Sequence, residues 1–218
     1  MIAVIDAGLG NIGSLLNMLD HLGIAARAAR TPAELANADR LILPGVGAFD
    51  HGMARLHASG LLPTLEERVL REHIPVLGIC LGMQLLGHSS EEGASAGLGW
   101  VPARTIRFDF GPDPKRLRIP HMGWNDVRPA APGNLLDLGL DDLGFGPRFY
   151  FVHSYHVVCD HAEDVAGITE HGIRFTAALQ RGHIHGVQFH PEKSHRWGKL
   201  LLARFAALPS APALPAAI

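Results

Sequence analysis

Short apolar runs that favour β-strands alternate with helical patterns through the first half of the chain. The strand-like runs cover residues 2–5, 40–43 and 75–79, and the first helical pattern covers residues 11–22. Alternation of this kind predicts a parallel sheet with helices on both of its faces. Ligands bind beyond the carboxyl ends of such strands. We therefore expect Gly8, Gly45 and Cys80, each just past a strand-like run, to converge on one edge of the sheet.

The second half has a different pattern, in which short β-rich runs are broken by Pro and Gly. These runs are 105–110, 149–159, 175–179 and 184–189. We expect them to add an antiparallel portion to the sheet, with a loop over residues 130–146 and a final helix over residues 199–208. The prediction is one α/β domain over residues 1–208, with a central, mostly parallel sheet flanked by helices. We expect the tail over residues 209–218, rich in Ala and Pro, to be poorly ordered.

The composition argues against several classes of protein. The 218-residue chain is 47% hydrophobic, which is enough for one substantial core. Its formal net charge is −2, from 19 basic and 21 acidic residues without a charged stripe, so we expect no nucleic-acid or membrane partner. Two cysteines, Cys80 and Cys159, are too few for a disulfide framework. With no basic leader and no apolar run of about 18 residues, the sequence favours a cytoplasmic protein.

Cys80 stands between the strand-like run 75–79 and an amphipathic helical pattern, with Gly78 two residues before it and Gly82 two residues after it. This spacing is typical of a nucleophile elbow, a tight turn that holds its central residue in a strained backbone conformation at the tip of a sheet. The flanking residues must be small because the strand and the helix pass very close together. A buried structural cysteine is the alternative interpretation.

Far downstream, a strand-like run leads into His190-Pro191-Glu192. A thiol nucleophile needs a base and a carboxylate that orients the base. His190 can take the proton of Cys80 and return it to the leaving group, while Glu192 can hold the imidazole in the useful tautomer. Because His190 and Glu192 are two positions apart in an extended segment, their side chains can face the same side.

Two segments, Gly78-Ile79-Cys80-Leu81-Gly82-Met83-Gln84 and Gln188-Phe189-His190-Pro191-Glu192, resemble the class I (triad) glutamine amidotransferases. The resemblance implies their single-domain α/β fold and a Cys-His-Glu triad that hydrolyses the side-chain amide of L-glutamine and passes ammonia to a synthase. It implies that Cys80 attacks the amide carbonyl, that His190 protonates the departing ammonia and that Glu192 orients His190. A γ-glutamyl thioester would form and then be hydrolysed. No metal and no cofactor are expected.

The same resemblance implies an oxyanion hole, because backbone N–H groups must meet the negative charge of the tetrahedral intermediate. Leu81, directly after the nucleophile, would supply one donor. The run Gly45-Val46-Gly47 resembles the oxyanion loop of the family. Many relatives have a second glycine where this chain has Val46, and the form found here implies a loop that becomes competent only after a peptide flip. Without Cys80, an ordinary strand-end turn would be the simpler interpretation.

Four further residues match positions that bind glutamine in the family. A free amino acid carries an ammonium and a carboxylate, which need an acidic partner and hydrogen-bond donors. Glu92 matches the position for the α-ammonium, although Glu91 beside it leaves a second register open. Ser154 and Tyr155 match a position whose backbone binds the α-carboxylate end, and Gln84 completes the set.

Two more segments, Gly8-Leu9-Gly10-Asn11-Ile12-Gly13-Ser14 and Ile119-Pro120-His121-Met122-Gly123-Trp124-Asn125, resemble the branch that forms the glutaminase subunit of imidazole glycerol phosphate synthase, in histidine biosynthesis. The resemblance implies a heterodimer with a (β/α)8-barrel cyclase subunit, to which ammonia crosses. Trp124 suits an interface anchor because it offers a large apolar ring with one donor. The candidate interface residues are Asn11, Ser14, His121, Trp124, Asn125 and Lys193.

Three other functions stay open at the level of sequence. Gly8, Gly10 and Gly13 follow a strand-like run with the spacing of the dinucleotide fingerprint, so a nucleotide-binding oxidoreductase is a rival. It is weakened because a strand expected near residues 25–30 ends without the acidic residue, about 20 positions on, that would bind the ribose hydroxyls, although Arg27 or Arg30 could serve a 2′-phosphate. The chain could also be the glutaminase subunit of another class I amidotransferase, or a catalytically silent docking module.

Overall fold

The structure, a computed structural model, describes residues 1–10, 12–111 and 117–209. The strands are β1 Ile2–Ile5, β2 Ala26–Ala29, β3 Arg40–Gly45, β4 Val76–Cys80, β5 Ser89–Ser90, β6 Ala103–Arg107, β7 His121–Asp126, β8 Arg128–Pro129, β9 Arg148–His153, β10 Tyr155–Cys159, β11 Val165–His171, β12 Ile173–Arg181 and β13 Ile184–Val187. The helices are α1 Gly13–His21, α2 Pro32–Leu35, α3 Phe49–Ala58, α4 Leu62–Glu66, α5 Leu81–Leu85 and α6 His195–Ala207. A π-helical turn, Glu67–Arg71, continues α4, and short 3-10 turns cover Ala162–Asp164 and Pro191–Lys193.

Five neighbouring strands of the central sheet run parallel, in the order β2-β1-β3-β4-β13. Beyond β13 the sheet continues through antiparallel β12, β10 and β6, and it ends with β5 beside β6. β7 and β9 pair as a separate antiparallel sheet. The predicted fold class, a mostly parallel sheet with an added antiparallel portion, is therefore confirmed.

Helices bury both faces of the inner parallel strands, whereas β2 at the edge is partly exposed. Within β1, Ile2 and Val4 face a core that is shared with α1 and α6, whereas Ala3 and Ile5 face a second core shared with α3, α4 and α5. Because neither face meets water, such strands are apolar throughout instead of alternating between apolar and polar residues. This two-sided burial is the reason that short continuous apolar runs predicted the strands.

Three local predictions were wrong. The run 149–159 is not one strand, since β9 pairs with β7 and β10 pairs with β6, and the chain changes sheet at Ser154. The last helix begins at His195, four residues before the predicted start at residue 199. The helix after Cys80 is five residues long and buried at every position, because it packs between the sheet and α3, so it is not amphipathic.

Other expectations concern the rest of the chain. Residues 130–146 form no helix or strand, as predicted. Most of the predicted tail, residues 210–218, lies outside the described residues. Within the described ranges, no helix combines the length and the apolar character that crossing a membrane requires.

The carboxyl ends of β1, β3 and β4 do converge on one edge. Gly45, the last residue of β3, pairs with Cys80, the last residue of β4. The loop after β1 reaches the same place, since the Val46 N–H donates a hydrogen bond of 2.8 Å to the Leu9 carbonyl. This edge is where the functional residues have to be sought.

The elbow glycines generate a stability prediction. A Cβ at Gly82 would overlap the carbonyl oxygen of Leu43 in β3, and a backbone atom cannot move aside as a flexible side chain can. We expect Gly82→Ala to lower the free energy of unfolding by about 3 kcal/mol or more. Gly146→Ala, which would meet no atom within 4 Å, should change it by less than about 0.5 kcal/mol. Urea denaturation followed by circular dichroism measures both, and equal stabilities would contradict this account.

Candidate active site

Cys80 occupies a strained turn between β4 and α5. Its backbone has φ 54° and ψ −110°, a conformation that residues with a side chain rarely adopt. Close packing enforces it, because a Cβ on Gly78 would lie 2.7 Å from the Gly82 carbonyl oxygen. The side chain is 7% exposed. The structure therefore has the backbone geometry that the elbow pattern predicts.

Strand order places two other loops beside this cysteine. β4 lies between β3 and β13, with Gly45 opposite Cys80 and Val187 opposite Ile79. The oxyanion candidates after β3 and the His-Pro-Glu segment after β13 thus flank the elbow, although about 110 residues separate Cys80 from His190 along the chain.

His190 and Glu192 contact each other directly. The distance from His190 Nδ1 to Glu192 Oε1 is 2.8 Å. A 3-10 turn over Pro191–Lys193, and not the extended segment assumed from the sequence, brings the side chains together. The Ser194 hydroxyl donates to the His190 carbonyl at 2.6 Å and accepts from the Tyr150 N–H at 3.0 Å, and so ties the turn to β9. Sequence reasoning gave Ser194 no role.

The charges around His190 favour its protonated form. Burial lowers the pKa of His190, but the hydrogen bonds and negative charges of Cys80 and Glu192 outweigh burial and raise it from 6.5 to about 9. Nε2, the ring nitrogen that does not contact Glu192, is also buried. At neutral pH the His190 ring therefore carries a hydrogen on both nitrogens, and the one on Nδ1 faces Glu192.

Gln188 is a site residue whose role the sequence reasoning missed. It is fully buried, and its Nε2 lies 3.7 Å from Cys80 Sγ. Gln84 Nε2 donates to Gln188 Oε1 at 3.1 Å and lies 3.3 Å from the Tyr155 carbonyl. Its position in the sequence could have indicated this role. Gln188 stands two residues before His190 at the end of a strand, so the two side chains can face the same side.

A cavity of about 280 Å³ opens at Cys80. It brings together residues from five separate segments of the chain, including nearly all of the predicted oxyanion and glutamine-binding positions. The lining consists of Val46, Gly47, Cys80, Leu81, Gln84, Glu92, Val152, His153, Ser154, Tyr155, His190 and Lys193. Of the predicted residues, Gly45 lies within β3, and Glu192 contacts His190 without lining the cavity.

Glu92 and Glu91 have different surroundings. Glu92 lines the cavity, and its Oε2 accepts a hydrogen bond of 2.9 Å from the Phe49 N–H at the start of α3. Glu91 is exposed, and its Oε2 accepts from the Arg107 N–H at 2.7 Å. The geometry therefore favours Glu92 as the acidic group beside Cys80.

One hydrogen bond engages the backbone N–H that the oxyanion loop would otherwise offer to the cavity. The Val46 N–H donates to the Leu9 carbonyl, so this group does not serve an oxyanion in the conformation seen here. Gly47 has φ +105°, a region open to glycine, and no atom lies within 4 Å of where its Cβ would be. Leu81 begins α5 next to the sulfur.

Of the predicted interface residues, only Lys193 lines the cavity among those that the structure describes. The exposed side chains are those of Ser14, Trp124 and Lys193. Trp124 is 42% exposed and stacks on His195, with ring centroids 5.2 Å apart. Asn125 is half-buried, whereas His121 is only 4% exposed and so lies beneath this surface. Asn11 lies outside the described residues.

The glycine loop after β1 does not form a phosphate cradle. A Cβ at Gly8 would overlap the Arg55 guanidinium, and one at Gly10 would lie 2.9 Å from Val46 Cγ2, so side chains of this chain fill that space. Arg30 forms an ion pair of 2.6 Å with the aspartate that follows β1. The dinucleotide-binding interpretation is therefore not supported. Among the residues that the structure describes, no group of three His, Cys, Asp or Glu could hold a metal ion.

The surroundings of Cys159 disfavour its thiolate form. Burial, followed by the nearby charge of Asp164, raises the pKa of Cys159 to about 12. Its side chain packs against the core shared with α3. Cys159 therefore stays a thiol at neutral pH.

Comparisons with known proteins agree in family and fold. Residues 3–207 match the family described as glutamine amidotransferase class-I. The chain is 46% identical to the imidazole glycerol phosphate synthase subunit HisH 2 of Methanococcus maripaludis, over 94% of this chain and 98% of that protein. It is 47% identical to the imidazole glycerol phosphate synthase subunit HisH 2 of Pseudomonas aeruginosa, over 95% of this chain and all of that protein.

Solved structures extend the agreement at the level of the fold alone. A glutamine amidotransferase from Thermotoga maritima superposes with a TM-score of 0.60 at 18% identity, covering 94% of this chain and 82% of that chain. PurLQS from the same organism superposes with a TM-score of 0.67 at 16% identity, covering 94% of this chain and 97% of that chain.

The ion pair at His190 predicts a distinct titration. In NMR titrations, the imidazole of His190 should lose its proton near pH 9, and Glu192→Gln should lower this pKa by about one unit or more, because a negative charge is removed. His185, whose pKa burial lowers to about 4, is the internal control. The pKa of His190 in the folded chain exceeds the ordinary value of 6.5. The charged pair therefore contributes its full stabilisation of the fold below about pH 6.5, and this contribution is lost as the pH rises through 9. Titration of His190 at or below pH 6.5 would contradict the ion pair.

Proposed function

Because the chain belongs to the class-I glutamine amidotransferases, within the group of imidazole glycerol phosphate synthase subunits HisH, we propose that it hydrolyses the side-chain amide of L-glutamine to glutamate and ammonia. The ammonia is delivered to a (β/α)8-barrel cyclase subunit, which makes imidazole glycerol phosphate and AICAR in histidine biosynthesis. The observation that carries the proposal is the strained Cys80 beside the His190–Glu192 pair.

The first half of the reaction forms a thioester. The Cys80 thiolate attacks the amide carbon of glutamine, and the carbonyl oxygen becomes an oxyanion. The His190 imidazolium then gives its proton to the amide nitrogen, and the C–N bond breaks. Ammonia departs, and a γ-glutamyl thioester remains on Cys80. The raised pKa of His190, about 9, supports this role, because the proton to be transferred is already present at neutral pH.

The second half hydrolyses that thioester. His190, now neutral, takes a proton from water as the oxygen attacks the thioester carbon. The C–S bond breaks, which releases glutamate and restores the Cys80 thiolate beside a protonated His190. Glu192 accepts the Nδ1–H bond throughout, so Nε2 is the nitrogen that exchanges protons with the substrate.

The cavity lining supplies groups for the two charges of the amino acid. Glu92 is placed to receive the α-ammonium, since its carboxylate lines the cavity and is oriented by the Phe49 N–H. Ser154 and Tyr155 line the same cavity, and their backbone serves the α-carboxylate. Gln84 holds the Tyr155 carbonyl and so helps to shape this part of the site.

Activity depends on a rearrangement of the oxyanion loop. The Val46 N–H is engaged by the Leu9 carbonyl in the chain described here, which leaves the intermediate short of one donor. A peptide flip that breaks this bond would turn an N–H toward the amide oxygen. Val46 is 48% exposed at the cavity mouth, beside the proposed partner face, so docking of the cyclase can drive the flip.

The proposed partner face exposes large apolar side chains that the cyclase subunit would cover. Trp124 and Met122 on β7 are 42% and 63% exposed, and Lys193 lies above the Tyr150 ring at 5.8 Å. Trp124 contacts the same Tyr150 ring, with ring centroids 6.2 Å apart, and Lys193 lines the cavity, so these exposed apolar side chains lie close to the proposed site and suit a permanent partner. The runner-up, a glutaminase subunit of another class I amidotransferase, is disfavoured because the HisH relatives match at 46–47% identity over nearly the whole chain.

Glutamine hydrolysis tests the proposed reaction. The chain in complex with the cyclase subunit of its own organism and that subunit's nucleotide substrate should release glutamate about 100- to 1000-fold faster than the isolated chain, because a missing oxyanion donor costs that much. Cys80→Ala should abolish the activity of the complex, and Cys159→Ala should leave it intact. Equal release of glutamate by wild type and Cys80→Ala would refute the triad, and full activity of the isolated chain would refute the loop rearrangement.

The partner face makes a separate prediction. Trp124→Ala should raise the dissociation constant of the complex with the cyclase about 30-fold or more, as expected for an aromatic anchor of about 2 kcal/mol. The matched control is Leu70→Ala, since Leu70 is 45% exposed but precedes β4 at the opposite edge of the sheet. Isothermal titration calorimetry measures both, and similar effects of the two substitutions would count against this face.

A further inference from the structure

Two buried histidines behind the cavity contact each other across the small sheet. His121 at the start of β7 pairs with His153 at the end of β9. The distance from His121 Nδ1 to His153 Nε2 is 3.2 Å. The proposed reaction uses neither ring, although His153 also lines the cavity that contains Cys80.

The partners of the two rings fix where each proton lies. His153 Nδ1 lies 2.8 Å from the Tyr155 carbonyl, which can only accept, so Nδ1 must carry the hydrogen. In the neutral ring His153 Nε2 is then an acceptor, and His121 Nδ1 must donate to it. His121 Nε2 is left as an acceptor, and the Asn125 amide nitrogen lies 3.4 Å away.

The surroundings keep both rings neutral, which this assignment requires. Burial lowers the pKa of His153 to about 3, against a smaller opposing effect of the Tyr155 carbonyl, and neighbouring imidazoles lower it further. Burial and the charge of His171 lower the pKa of His121 to about 4. Phe108 and Phe175 pack against His153 and supply no charge. At neutral pH each ring therefore carries one ring hydrogen.

All the hydrogen bonds in this series point the same way. The Asn125 amide, oriented by a 2.7 Å bond to the Glu170 carbonyl, donates to His121, which donates to His153, which donates to the Tyr155 carbonyl. Asn125 is next to the exposed Trp124 on β7. The series thus runs from the proposed partner face to the backbone proposed to bind glutamine.

We propose that Asn125, His121 and His153 form a relay of positioning residues that holds the Ser154–Tyr155 backbone in place for glutamine and couples it to β7. This inference rests on the proposed glutaminase function. Without the His121 donor, the buried His153 Nε2 has no partner, and the His153 ring is free to turn away from the Tyr155 carbonyl. The relay touches no reacting atom, so its loss weakens glutamine binding and leaves the chemistry at Cys80 intact.

The tautomers can be observed directly and without any assay of function. Long-range ¹⁵N–¹H NMR spectra of the full chain at neutral pH should show His121 and His153 as neutral rings with the hydrogen on Nδ1. A hydrogen on Nε2 of either ring would overturn the relay. This measurement stays informative even if the protein hydrolyses no glutamine, so the two proposals can fail separately.

Kinetics of the complex with the cyclase subunit test the positioning role. His121→Leu removes the donor and should raise KM for glutamine about tenfold while kcat changes less than about threefold, since a buried acceptor loses its partner. His121→Asn, whose amide can replace the Nδ1–H donor, should bring KM back to within about threefold of wild type. Equal KM values for the Leu and Asn variants, or a loss confined to kcat, would overturn the proposal.

A packing control is available on the neighbouring strand. His171 stacks on His121 with ring centroids 4.2 Å apart, but its own Nε2 contacts the Arg118 carbonyl, so it is not part of the relay. His171→Leu should leave KM within about twofold of wild type. A KM increase equal to that of His121→Leu would show that packing alone is responsible and would overturn the relay. If His121→Leu does not fold, the tautomer spectra of the unmodified chain decide the question, since a hydrogen on Nε2 of His121 or His153 overturns the relay.

Discussion

The close passage of α5 over β3 is the constraint on which the rest of the structure depends. The backbone at Gly82 packs so tightly on the Leu43 carbonyl that no side chain fits between them. This contact makes the turn at Cys80 sharp and holds its φ at 54°. Because the turn is sharp, the sulfur stands at the carboxyl edge of the sheet, between the loops that follow β3 and β13. The packing of the parallel sheet thus maintains the strained backbone conformation of Cys80.

Histidines of the same chain acquire opposite protonation states from their surroundings. Glu192 and Cys80 bring negative charge to His190 and raise its pKa to about 9, despite burial. His153 is buried among phenylalanine rings and other imidazoles, and its pKa falls to about 3. The first ring can therefore carry a proton to a leaving group, whereas the second keeps a fixed tautomer and serves as a directional hydrogen-bond donor.

Much of the fold and of the site could be predicted, and the errors share a physical cause. Apolar runs bounded by glycine located the parallel strands because both faces of those strands are buried. The same reasoning joined 149–159 into one strand, since a run that passes from one sheet to another at Ser154 has the same local composition as a continuous strand. It also missed Gln188, because the burial of a polar side chain depends on partners that are distant in sequence.

The sequence by itself determined the strained elbow at Cys80 and the pairing of His190 with Glu192. Both follow from residues that are close along the chain, where glycine spacing and short-range geometry suffice. Only the tertiary structure decided that Glu92 rather than Glu91 faces the cavity, that the Val46 N–H is engaged by Leu9, and which nitrogen of His121 carries its hydrogen. Each of these depends on a hydrogen bond between segments that are brought together by strand order, and local sequence carries no record of that order.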